Sequence, residues 1–146
     1  MIRVQRQPFD AAEELRAFMA RAGEGAVATF IGTVRAEDGV EALTLDHYPG
    51  FTEKQITALV SAMIDQHRLA AAAVVHRFGR MQPGDPILFA ATAAPHRRAA
   101  LDALAELVER LKTEAPFWKK EQRGGIEHWL DVPRASDEAS PERTLP

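Results

Sequence analysis

Proline at position 116 splits the segment 111–121, LKTEAPFWKKE, and limits what the chain around it can do. A helix cannot run through a proline, and the residue before one is pushed toward extended backbone. Lys112 therefore belongs to the end of a helix, and Phe117 onward to a new extended segment. Three lysines, Lys112, Lys119 and Lys120, fall within nine positions beside Phe117 and Trp118. Ammonium groups repel one another, so two explanations compete. The lysines are solvated, with their stems lying over the aromatics. Or they line a pocket that binds an anion and lowers a lysine pKa.

The helix before Pro116 is read as residues 95–114, since proline suits a first turn. Leu101, Leu104, Val108 and Leu111 share one face of it. Lys112 lies roughly 80° from the centre of that face, beside Ala105 and Val108. That border position suits a lysine reaching into a cleft or one snorkelling to water. His96, Arg97 and Arg98 fall at the start of the same helix, where the dipole disfavours cations. Ala94 and Pro95 offer no side-chain cap for the free N–H groups. The three cations either gather an anion there or point into water.

The remaining pattern describes one domain. Ile2–Gln5 reads as a strand, and Asp10 with Glu13 as a capped helix start whose face carries Leu15, Phe18 and Met19. Residues 25–34 (GAVATFIGTV) read as a buried strand closed by Arg35, whose planar fork suits a phosphate. Residues 36–40 form a turn or mobile loop, and 41–48 a strand with one wet face. Thr52 is expected to cap a second helix, with Gln55 at its third position and a stripe of Ile56, Leu59, Val60, Met63 and Ile64. Strands follow at 73–78 and 87–93, the latter buried on both faces, with a turn at 81–86 between them. Gly124-Gly125 turns the extended 117–122 segment into a hairpin whose second strand is 126–132. Residues 1–132 form the domain, and the polar, proline-bearing 133–146 is expected to be a mobile tail. The order predicts an α+β fold, a mostly antiparallel sheet with long helices packed on it.

Composition narrows the function. The net charge of −3 gives no footprint for nucleic acid, and no apolar run is long enough to span a membrane. The start lacks a signal peptide's apolar core, so a cytoplasmic location is expected. The chain has no cysteine, which excludes disulfides, thiolate metal sites and a cysteine nucleophile. If it handles sulfur, another molecule delivers it. His47, His67, His76 and His128 lack metal-ligand spacing, and no metal is expected.

Five pieces occur in order: TFIGTVR, LTLDHYPGFTE, VVHRFGRMQPGD, the PHR at 95–97 and LKTEAPFWKKE. Together they resemble the large, catalytic subunit of molybdopterin synthase, over roughly residues 8–132. The resemblance implies an α/β hammerhead fold with an added small sheet, and a homodimer. It implies a partner at each end, a small ubiquitin-like sulfur carrier whose Gly-Gly tail carries a thiocarboxylate. The reaction implied moves two sulfurs onto cyclic pyranopterin monophosphate and opens its cyclic phosphate, giving the dithiolene of molybdopterin, with no resident cofactor. Carried over residue by residue, the catalytic positions are Lys112 and Lys119. The substrate-binding positions are Thr33, Val34, Arg35, His96, Arg97, Lys112, Lys119, Lys120 and Glu121. Thr33 stands where some relatives have lysine, and Ala94-Pro95 replaces a hydroxyl-bearing lead-in to the His-Arg pair. A non-catalytic, dimeric anion-binding or partner-docking module on the same scaffold is the competing expectation.

Overall fold

Asp10 starts the first helix by accepting hydrogen bonds from the N–H groups of Ala12 (2.8 Å) and Glu13 (3.2 Å). Glu13 does not reciprocate; its carboxylate pairs with Arg16 instead. The computed structural model describes residues 1–23 and 25–130. In order they form β1 (Ile2–Gln5), α1 (Ala11–Ala22), β2 (Ala26–Thr33), a 3-10 turn (Glu37–Gly39), β3 (Val40–His47), α2 (Phe51–His67), β4 (Ala71–Arg77), β5 (Gly79–Met81), β6 (Pro86–Ala94), α3 (Arg97–Glu114), β7 (Phe117–Arg123) and β8 (Ile126–Trp129). The expected tail lies outside the described residues. No described helix is long and apolar enough to cross a membrane.

The strands form two four-stranded sheets, ordered β1-β4-β6-β2 and β5-β3-β7-β8. Among the described strands only β1 and β4 pair in parallel; every other pair is antiparallel. Strand β6 is central, which explains why it is apolar at nearly every position. Phe89, Ala91 and Ala93 face Phe18 and Ala22 of α1. Ala90 and Ala94 face the larger core beneath α2 and α3. That core continues into the second sheet through Leu43, Leu45, Met81 and Phe117.

Three local expectations are corrected. Strand β2 is not the buried strand expected for 25–34: it is a sheet edge, with Val27, Phe30 and Ile31 each more than a third exposed. Thr52 does not cap α2. The helix begins at Phe51, and the Glu53 carboxylate accepts the Gly50 N–H at 2.7 Å. Thr52 is instead fully buried inside the first turn. Helix α3 buries Ala100, Ala103, Leu107 and Leu111, leaving Leu101 56% exposed. Its small residues let the helix approach the alanine-rich sheet, where the Thr92 hydroxyl donates to the Ala100 carbonyl at 2.7 Å. Close backbone approach decides this face over side-chain size.

Gly25 makes a second close approach. A Cβ built there stands 2.4 Å from the Ala94 carbonyl oxygen, and its φ is +126°. The segment leading from β6 into α3 can lie against it only because the side chain is missing. Gly25→Ala should therefore destabilise the protein by about 1–3 kcal/mol, read as a lower urea midpoint with unchanged slope.

Candidate active site

Helix α3 ends where Pro116 requires, and the chain turns at once into β7. Phe117, first in that strand, is buried and stacks on the His76 ring with centroids 3.9 Å apart and planes 14° apart. The His47 ring lies 5.9 Å from Phe117 and 4.4 Å from Phe78. From the other side the Thr52 hydroxyl accepts the Tyr48 N–H at 3.2 Å and reaches the Pro116 carbonyl at 3.5 Å. The run 47–53 is thus a corner that holds the base of β7. The pleat sends Lys119, Glu121 and Arg123 to one face of β7, and Trp118 and Lys120 to the other.

The first face closes a cavity of about 430 Å³. Thr33, Val34 and Arg35 enter it from the end of β2, Lys112 from the end of α3, and Lys119, Glu121 and Arg123 from β7. Val40, Leu43, Ile87 and Leu130 supply apolar wall, and Glu37 stands at the 3-10 turn. The β2 end is pinned by the turn before β6. The Val34 N–H donates to the Asp85 carbonyl (2.9 Å), and the Gly84 N–H donates to the Val34 carbonyl (2.8 Å). Leu130 is tied to the site by its N–H, 2.8 Å from the Lys119 carbonyl.

Arg35, Lys112 and Lys119 therefore meet from three elements distant in sequence. Lys112 is exposed, about 135° from the centre of the stripe that α3 buries. It lies farther out than its sequence neighbours suggest, and its long stem makes the reach. Lys119 is half-buried, and loss of hydration pushes its pKa below the ordinary lysine value. The Lys112 ammonium lowers it further, Glu121 opposes, and Arg35 adds to the lowering. Among the described residues two carboxylates belong to the site. Glu37 lies 3.8 Å from Arg35, and Glu121 accepts from Arg123 at 2.6 Å. Such a pocket can hold an anion and present an amine that gives or takes a proton.

Other expected positions lie elsewhere. Lys120 is on the outer face, 3.1 Å from Glu127 and over the Trp129 ring. His96 is the residue before α3, and its side chain caps nothing. Arg97 is fifteen residues from Lys112 on the same helix, about 22 Å away at 1.5 Å per residue. Within one copy the His-Arg pair and the lysines do not meet. Sequence reasoning missed Arg123 and Glu37. Arg123 was findable, because Lys119, Glu121 and Arg123 share the period of a strand.

Known proteins show the same arrangement of chain. The MoaE protein family matches residues 4–114. The chain belongs to the MoaE family. It is 46% identical over 142 residues to a molybdopterin synthase catalytic subunit of Rhizobium meliloti, covering 94% of this chain and 92% of that one. A molybdopterin biosynthesis MoaE protein from Burkholderia ambifaria superposes with a TM-score of 0.81 at 41% identity, covering 95% and 94% of the two chains. A complex of subunits 1 and 2 of molybdopterin-converting factor from Helicobacter pylori shares the fold, with a TM-score of 0.78 at 22% identity over 95% of this chain and 92% of that one. The family match stops before β7, so Lys119 lies beyond it and rests on the geometry of the cavity.

His76, beneath Phe117, carries a pH signature. Burial pushes its pKa down to about 4, with Lys119 and His47 adding to the lowering against the Arg77 carbonyl that its Nδ1 meets at 2.9 Å. A depressed folded-state pKa means that the unfolded chain binds the proton first. Stability should be full above about pH 6.5 and fall as pH drops toward 4, by roughly 3 kcal/mol at most. His76→Phe, which keeps a ring on Phe117, should flatten that decline in urea unfolding compared at pH 7 and pH 4.5.

Proposed function

We propose that this chain is the sulfur-transferring subunit that converts cyclic pyranopterin monophosphate to molybdopterin, taking sulfur from the C-terminal thiocarboxylate of a small ubiquitin-like partner. Its family membership and the names of its relatives make it an enzyme of molybdenum cofactor biosynthesis. One observation carries the finer reading: Arg35, Lys112 and Lys119 border a single cavity with apolar walls. Both the cyclic phosphate and the thiocarboxylate are anions, and among the described residues the site's cations outnumber its carboxylates.

In this reading Arg35 grips the phosphate, with Thr33 and Val34 beside it. Lys112 meets the incoming tail and steadies the negative charge that develops on the oxygen of its acyl group. Lys119, poised by its dry surroundings, moves protons on the pterin side as the phosphate ring opens. Each transfer leaves the tail as an ordinary carboxylate, so two tails serve one product. The cysteine-free chain draws its sulfur from the tail, and the reaction requires no resident metal or cofactor. The two-subunit complex of the Helicobacter pylori protein supports a partner of this kind. A cytoplasmic location belongs to the same reading. The non-catalytic alternative leaves a half-buried lysine with a lowered pKa unexplained.

His96 and Arg97 join the site if the enzyme is a homodimer. The exposed Val27, Phe30 and Ile31 supply an apolar edge on β2 for a second copy. Ala26 at the start of β2 pairs with Ala94, beside His96, and Arg35 follows its other end. A two-fold antiparallel pairing of β2 edges sets the second copy's His96 and Arg97 near this copy's Arg35.

With thiocarboxylated partner, Lys112→Ala and Lys119→Ala should each slow dithiolene formation by about a hundredfold or more. Normal turnover in both would refute their roles. Arg35→Ala should mainly raise KM for the pterin, by about ten- to a hundredfold. Ile31→Lys should give a monomer by sedimentation and the same rise in KM; an unchanged dimer would exclude the β2 edge as the interface.

A further inference from the structure

Each carboxylate at the cavity has an arginine, and neither cavity lysine is in an ion pair among the described residues. Charge alone does not choose between the two cations beside Glu121. Lys119, Glu121 and Arg123 stand in a row on one face of β7, so Glu121 has a cation two residues away on each side. Spacing along a strand makes the two equidistant, about 7 Å at the backbone. The Glu121 carboxylate goes to Arg123, whose Nε and Nη2 both reach Oε2, at 3.1 and 2.6 Å.

We propose that Arg123 is a positioning residue that acts through Glu121: by holding that carboxylate it keeps it off Lys119, and so leaves the Lys119 amine unpaired for the substrate. This inference rests on the role given to Lys119 above.

The chemistry favours arginine for the task. A guanidinium stays charged at every working pH and binds a carboxylate through its planar fork, so it cannot exchange its proton into the site. The Glu121 side chain is only 17% exposed, and a carboxylate so shielded keeps a cationic partner. If Arg123 is removed, the next cation in the row is Lys119. A Lys119–Glu121 pair would hold the lysine protonated and draw it along β7 toward Glu121. Opposing influences on Lys119 are already visible, with burial, Lys112 and Arg35 lowering its proton affinity and Glu121 raising it. Glu37 on Arg35 repeats the pattern at the mouth of the cavity.

The test uses the full chain with its thiocarboxylated partner and four variants: Arg123→Gln, Arg123→Lys, Glu121→Gln and the double Arg123→Gln/Glu121→Gln. The titration of Lys119 is followed by NMR of carbon-labelled lysine side chains, its signal assigned by its loss in Lys119→Ala. In Arg123→Gln the Lys119 signal should titrate at higher pH. The acid limb of the pH–rate profile should move the same way, slowing turnover about three- to tenfold at a fixed pH on that limb. Arg123→Lys should restore most of the rate, and the double variant should return the titration to its original position or below. An unmoved titration in Arg123→Gln overturns the proposal, as does a double variant displaced as far as the single one. Normal turnover in Lys119→Ala would instead sink the catalytic role of the lysine, while the titration still decides whether Arg123 governs its proton.

Discussion

The stack of Phe117 on His76 joins the two sheets, and the site depends on it. His76 belongs to β4 of the first sheet and Phe117 to β7 of the second. The ring contact, backed by His47 and by Thr52 beneath Pro116, fixes where β7 begins after the helix ends. The pleat then carries that choice along the strand. A shift of one residue would turn Lys119 outward and bring Trp118 and Lys120 into the cavity. Aromatic and histidine side chains suit the seam, because a neutral imidazole stacks as a flat ring and still satisfies a backbone carbonyl.

Electrostatics at the cavity follow from this geometry. Four cations gather where three elements converge, and like charges in a partly dry recess repel. The arginines cannot relieve the repulsion by losing a proton, so the half-buried lysine bears it. Carboxylates at the site soften the repulsion without cancelling it. The resulting excess of positive charge is an attraction for anionic ligands that the overall charge of −3 conceals.

Much of the fold was legible. Period-two and period-3.6 patterns located the three helices and most of the strands, and the Gly124-Gly125 turn lies where a hairpin needs it, both residues having positive φ. The failures share a cause. Helical spacing puts Leu101 on one face with Leu104, Val108 and Leu111, yet Ala100 and Ala103 are the residues buried beside Leu111, because the sheet beneath is alanine-rich. Residues 25–34 read as buried by composition, although β2 is an edge whose apolar side chains await a further surface. Thr52 carries the chemistry of a cap, but Gly50 and Glu53 make the helix start and free Thr52 to brace Pro116. In each case residue type was read correctly and the neighbour was unknown.

Local chemistry in the sequence determined the elements, the proline break before Phe117, the absence of any sulfur nucleophile and the list of candidate cations. These properties depend on residues close together in the chain, whose steric and hydrogen-bonding preferences act at short range. Tertiary structure alone decided which cations share a cavity. It brought Arg35, Lys112 and Lys119 together, added Arg123, and left His96 and Arg97 at the far end of the helix. Coulomb interaction depends on distance through space, and that distance is set by how two sheets and three helices pack.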